Sequence, residues 1–273
     1  MDTKTKSTLK SLPPLKRLLA AIGAAAFWLA LWHIAAVIIG KEILVPTPLA
    51  VIRRLIELVQ ESSFWLYTGA TLLRIIAGFG LALAVGCVLG TLMHLSRTVR
   101  ILFDPLLTVV RATPVSSFII LALVWIKGAF MPVFIAFLMV LPIVCANLTE
   151  GLGAVDKGLL EMARVYEIRG LRLIGKIYAP SVSPYLLAAC RTGMGLAWKA
   201  GVAAEVIGRT AHSIGNMLYE SKLYLETADL FAWTAVVVLL SRIIEMLFVS
   251  GVGILSRKYG YAKEDDDNGD NAQ

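Results

Sequence analysis

The chain has 273 residues, of which 58% are hydrophobic and 16% charged, with a net charge of +7. Soluble domains carry about 25% charged residues, and a chain this apolar cannot bury its hydrophobic side chains while covering a globule with polar ones. These values exclude both a soluble globular protein and a disordered one, and leave lipid as the main solvent.

In chain order, a basic tail, 1–17, carries Lys4, Lys6, Lys10, Lys16 and Arg17 and leads into an apolar run from Leu18 to Ile39. Crossing a bilayer takes about 20 apolar residues. The run exceeds the roughly 7–15 of a signal-peptide core and no A-x-A site closes it, so 18–39 is expected as an uncleaved first transmembrane helix. Residues 40–68 open with Pro46-Thr47-Pro48 and then predict an extracytoplasmic amphipathic helix. Its apolar face is Val51, Ile52, Leu55, Ile56 and Val59, and its polar face Arg53, Arg54 and Glu57. Further spans are expected at about 72–93, 101–125, 129–146, 185–207 and 231–255. Strands of a membrane barrel would be about ten residues long and strictly alternating. The expected fold is therefore an all-α polytopic membrane protein with six transmembrane helices.

Loop charge sets the orientation. The side holding both termini collects fifteen basic residues against six on the other, so both termini are expected in the cytoplasm of a cell-membrane protein. The same rule accounts for the basic excess without a nucleic-acid partner. Cys87, Cys145 and Cys190 are odd in number and widely spaced, which argues against disulfides and zinc. His33, His94 and His212 are scattered over different segments, so no metal site is expected. The tail 257–273, with Asp265, Asp266 and Asp267, is acidic.

The cytoplasmic segment 150–180 neither crosses the membrane nor reads as a flexible linker. Asp156 is a candidate N-cap for a short helix, and Leu159, Met162, Ala163 and Tyr166 fall at i, i+3, i+4 and i+7 on one face. Gly170 is the expected stop, and a second short helix, 171–179, is expected to end at Pro180. An apolar-faced helix on this side either packs on its own bundle or docks on another protein.

Glu161-Met162-Ala163, followed by Ile177 and Pro180, resembles the EAA loop, E-A-A-x3-G-x9-I-x-L-P, of ABC importer permeases. The likeness is to the binding-protein-dependent, type I group that handles nitrate, sulfonates, taurine and similar solutes. It extends from the Pro46 region to the last span and includes Asp104-Pro105, Arg111 with Pro114, Arg191, Trp198 and Glu205. The chain departs from the motif at Met162, at Ala179, and at Glu167, which stands where the family has glycine. The resemblance implies a type I ABC importer transmembrane domain over 69–256 and a permease homodimer. It also implies a cytoplasmic ABC ATPase and an extracytoplasmic solute-binding protein as partners. Leu159, Glu161, Met162, Ala163, Arg164, Tyr166, Gly170 and Pro180 would then form the coupling element. No catalytic residue and no cofactor is expected in this chain: ATP is hydrolysed by the partner, and no G-x4-G-K-[ST] loop is present.

Arg191, Lys199 and Glu205 share the fifth span, where each charge costs about 2.5–3.5 kcal/mol at mid-bilayer. Arg191 and Glu205 are fourteen residues apart, on one face but about 21 Å from each other. Together with Trp198 they are the candidates for a pathway or gate. Gly86 and Gly90 in the second span have the spacing of a helix-packing motif. A stand-alone secondary carrier would require paired intramembrane acids and an internal repeat, and a membrane-embedded enzyme a convergent nucleophile and base. The chain displays neither pattern.

Overall fold

The structure, a computed structural model, describes residues 14–258, with side chains from Leu19 to Leu247 other than Ala21. Most of the expected basic and acidic tails therefore lies outside the described residues. All regular structure among the described residues is helical: α1 (Pro14–Ile39), α2 (Pro48–Gln60), α3 (Ser62–Leu95), α4 (Arg97–Ala112), α5 (Val115–Ala122), α6 (Phe130–Gly153), α7 (Lys157–Val165), α8 (Ala179–Gly208), α9 (Ile214–Leu223) and α10 (Thr227–Lys258). A three-residue helical turn, Leu171–Leu173, and a π turn, Ile174–Tyr178, join α7 to α8.

Four helices, α1, α3, α6 and α10, are each long and apolar enough to cross a membrane, and the bent pair α4 and α5 makes a fifth candidate. At 30 residues α8 is long enough as well, but Arg191, Lys199 and Glu205 lower its hydropathy. The segment expected as one span, 101–125, is two helices meeting at 105°. Pro114 has no N–H to continue the ladder and bars the α region to the residue before it. Thr113 is accordingly extended, at φ −84° and ψ 134°. The helix holding the second expected span begins at Ser62, so residues 62–68 are helical rather than part of the preceding loop.

The chain divides into two compact units, 1–64 with 220–235, and 65–219 with 236–273. In the first, Thr47 caps α2 by accepting from the Ala50 amide at 3.3 Å, and Pro48 occupies the first turn, where a missing N–H costs nothing. Of the expected apolar face of α2, Val51 is buried and Leu55 half-buried, while Ile52, Ile56 and Val59 are exposed; Leu58, outside that face, is buried. The Trp32 indole N–H donates to the Pro46 carbonyl at 3.1 Å, and its ring stacks on Phe231. Arg54 donates through Nε and Nη2 to the two carboxylate oxygens of Asp229. Those bonds push the guanidinium further above its ordinary range.

The core of the second unit is α3, α6 and α8. Glycines allow close approach: a Cβ at Gly86 would lie 2.7 Å from Val144, one at Gly90 3.1 Å from Leu148, and one at Gly201 2.6 Å from Ile75. The Gly86/Gly90 pair thus seats α3 on α6 within the subunit. Cys145 is buried on the same seam, with its thiol 3.7 Å from the Gly86 carbonyl.

Candidate functional site

Two places hold the residues singled out in the sequence. The first is the connection 154–180. Asp156 accepts from the Gly158 amide at 2.7 Å and starts α7. Ala163 is 1% exposed and sits in an apolar cluster with Leu148, Val155, Ile177 and Val182, against which Leu160 also packs. The expected face is therefore divided. Ala163 turns inward and anchors the helix, whereas Leu159, Met162 and Tyr166 face outward together with Val165, which is 80% exposed. Glu161 and Arg164 are exposed beside them.

Gly170 does not stop this helix. The stop comes earlier, in a Schellman arrangement: the Ile168 amide donates to the Ala163 carbonyl at 2.8 Å, and the Glu167 amide to that of Arg164 at 3.1 Å. Glu167 takes the left-handed position, φ 52°, which glycine normally fills. The absence of the motif's glycine is thus absorbed as local strain without loss of the turn. Gly170, φ 61°, instead starts the next helical turn. Pro180 does not end a helix either. It lies at the start of α8, which runs on from the π turn without a break in helical dihedrals. Leu171 and Ile174 extend the exposed apolar surface.

The second place is α8. Glu205 is fully buried: its Oε2 accepts from Thr71 Oγ1 at 2.9 Å and from the Gly215 amide at 3.3 Å, and its Oε1 from Arg74 Nη1 at 3.3 Å. Arg74 also donates to the carbonyls of Ala211 and His212, and Thr71 Oγ1 accepts from the Ile214 amide at 3.0 Å. This network ties α3 to the turn between α8 and α9, where Arg209 and His212 adopt positive φ. A Cβ at Gly215 would lie 2.3 Å from the Glu205 Cβ, so only glycine admits so close a pass.

Arg191 is exposed and lines a cleft between α8 and α10 with Trp198, whose indole N–H donates to the Val237 carbonyl at 3.1 Å. The three pathway candidates are therefore not one site: Arg191 and Trp198 share a cleft, while Glu205 belongs to a separate clamp. Thr71 and Arg74 are the residues that sequence reasoning missed. A buried carboxylate in a span demands a partner, and Arg74 in another span was the available signal. Spacing along the chain does not pair residues 131 positions apart.

Among the described residues, four helices and one bent pair that are long and apolar enough to cross a membrane define a multi-pass membrane protein. Residues 75–261 match the family described as binding-protein-dependent transport system inner membrane component. A protein of Methanocaldococcus jannaschii named as an ABC transporter permease is 31% identical over 208 residues, covering 74% of this chain and 78% of that protein. A protein of Bacillus subtilis named as an aliphatic sulfonates transport permease is 27% identical, covering 78% of this chain and 76% of that protein. The taurine transport system permease of Escherichia coli is 24% identical, covering 86% and 87%. The chain belongs to the binding-protein-dependent ABC importer permease family, whose members are transport subunits rather than enzymes.

Proposed function

We propose that this chain is the membrane subunit of an ATP-driven importer. It works as a homodimer in the plasma membrane and takes a small anionic solute from an extracytoplasmic binding protein. A cytoplasmic ABC ATPase seats on α7. In this reading α1, α3, the bent α4–α5 pair, α6, α8 and α10 are six spans, and both termini lie in the cytoplasm. The chain binds no cofactor; ATP is turned over by the partner, and its motion rocks the bundle between outward- and inward-open states.

The observation that carries the reading is the outward apolar surface of Leu159, Met162, Val165 and Tyr166 on a helix pinned from behind by Ala163. A lever of this kind needs a stiff attachment on one side and a defined seat on the other. Glu161 and Arg164 at its rim set the register of docking more than its strength. The anionic solute is supported by the aliphatic sulfonates named for one relative, since a sulfonate carries a negative charge; the taurine named for another carries a sulfonate beside an ammonium group.

The test uses the tagged full-length chain co-expressed with its ABC ATPase and binding protein. Met162→Lys and Tyr166→Lys change exposed side chains and leave the buried anchor intact. Each is expected to release the ATPase during purification or to separate ATP hydrolysis from uptake. Unchanged co-purification with unchanged uptake per ATP would remove the coupling role of α7.

A further inference from the structure

The cleft between α8 and α10 has a volume of about 170 Å³, and its walls carry charge in the middle of otherwise apolar helices. Arg191 and Lys199 come from α8, and Ser241 and Glu245 from α10. The charges do not cancel. Glu245 is already held by Arg242 Nη1 at 2.9 Å. Among the described residues neither Arg191 nor Lys199 forms an ion pair. The cost of two such cations inside spans is offset only by water or by an anion.

The cleft is built rather than incidental. Trp198, 1% exposed, forms part of its lining, and the bond from its indole N–H to the Val237 carbonyl fixes α8 against α10. Gly195 contributes no side chain, and the space where its Cβ would lie is open. Arg191 and Lys199 are two helical turns apart, about 12 Å along the axis. An anion can therefore leave one while approaching the other. With Glu245 paired to Arg242, Arg191 and Lys199 leave two uncompensated positive charges on the cleft, a lining that suits an anion.

We propose that this cleft is a transient station for the transported solute. Arg191 and Lys199 hold a monovalent oxyanion of the sulfonate or carboxylate type, and Glu245 keeps that binding weak. Weak binding is a requirement of passage, because a site that is tight enough to trap its solute does not release it. The inference rests on the importer reading and deepens it, by naming the residues that select the charge.

The test has two readouts. Saturation-transfer NMR on the purified full-length chain measures weak binding of methanesulfonate and of dimethyl sulfone, its uncharged analogue of nearly the same shape. Methanesulfonate is expected to bind and the sulfone not. Losing one charge-assisted hydrogen-bond donor should weaken binding about tenfold or more in Arg191→Ala and in Lys199→Ala. Arg191→Lys and Lys199→Arg keep the charge and should retain most of the affinity, while Glu245→Gln should tighten it severalfold. Equal binding of the sulfone, or unchanged affinity in the double alanine variant, overturns the proposal. So does a double variant that loses its dimer but keeps its anion, which assigns the cations to a subunit contact. The second readout is ATP-driven uptake by the complete transporter in proteoliposomes. Active uptake alongside unaltered anion binding in the variants sinks the cleft and leaves the importer standing. An assembled complex that moves no solute with ATP sinks the importer reading itself.

Discussion

Glu205 and Arg191 lie on one face of α8, and their surroundings are opposite. Glu205 is fully buried and accepts from Thr71, Arg74 and the Gly215 amide. Arg191 is exposed, and no carboxylate of the described residues pairs with it. The same helix therefore uses charge in two ways. At one end charge fastens the turn between α8 and α9 to α3; nearer the other it is left open toward a cleft. The difference is set from outside α8. It comes from what the adjacent elements supply: α3 brings a guanidinium and a hydroxyl to Glu205, while the carboxylate of α10 nearest Arg191 is already taken.

The strongest way to break this comparison is Glu205→Ala. It strands Arg74 and two further donors in a buried site, and removing one member of a buried pair typically costs about 3–5 kcal/mol. A large fall in the thermal midpoint of the detergent-purified chain is expected; a loss under about 1 kcal/mol would mean that the clamp bears no weight. Gly201→Ala probes the packing between the two charges. Its new methyl would lie 2.6 Å from Ile75, an overpacking expected to cost about 1–3 kcal/mol, read in the same melt. Arg191→Ala sharpens the contrast from the weak side. Stability should stay within about 0.5 kcal/mol of the parent, while uptake by the assembled transporter falls. A destabilisation rivalling that of Glu205→Ala would erase the distinction.

Much of the fold was legible because lipid imposes length: apolar runs announce their helices, and α1, α6 and α10 lie close to where those runs predict. A proline inside an apolar run, as at Pro114, is a general sign of a break, but the angle depends on what both arms pack against. In the connection between α6 and α8, Asp156 and the i, i+3, i+4 pattern located α7. They did not say that Ala163 would turn inward, since a methyl group suits either side of such a helix. The position of the stop was hidden for a different reason. Glycine is the expected left-handed residue, Gly170 was the glycine at hand, and Glu167 adopts that conformation in its place. The clamp was the least legible feature. Glu205 stood out as a charge in a span, but its pairing with Arg74 follows from how α3 and α8 pack.

The bend at Thr113–Pro114 has a consequence for hydration. A turn of 105° between α4 and α5 releases carbonyls at the end of one helix and amides at the start of the next. Hydrocarbon offers such groups nothing, so a break at this depth survives only where other protein or water reaches it. The elbow therefore marks a level where other protein or water meets the backbone. Its amides should trade hydrogen for deuterium far faster than those of α6, whose ladder runs between packed neighbours.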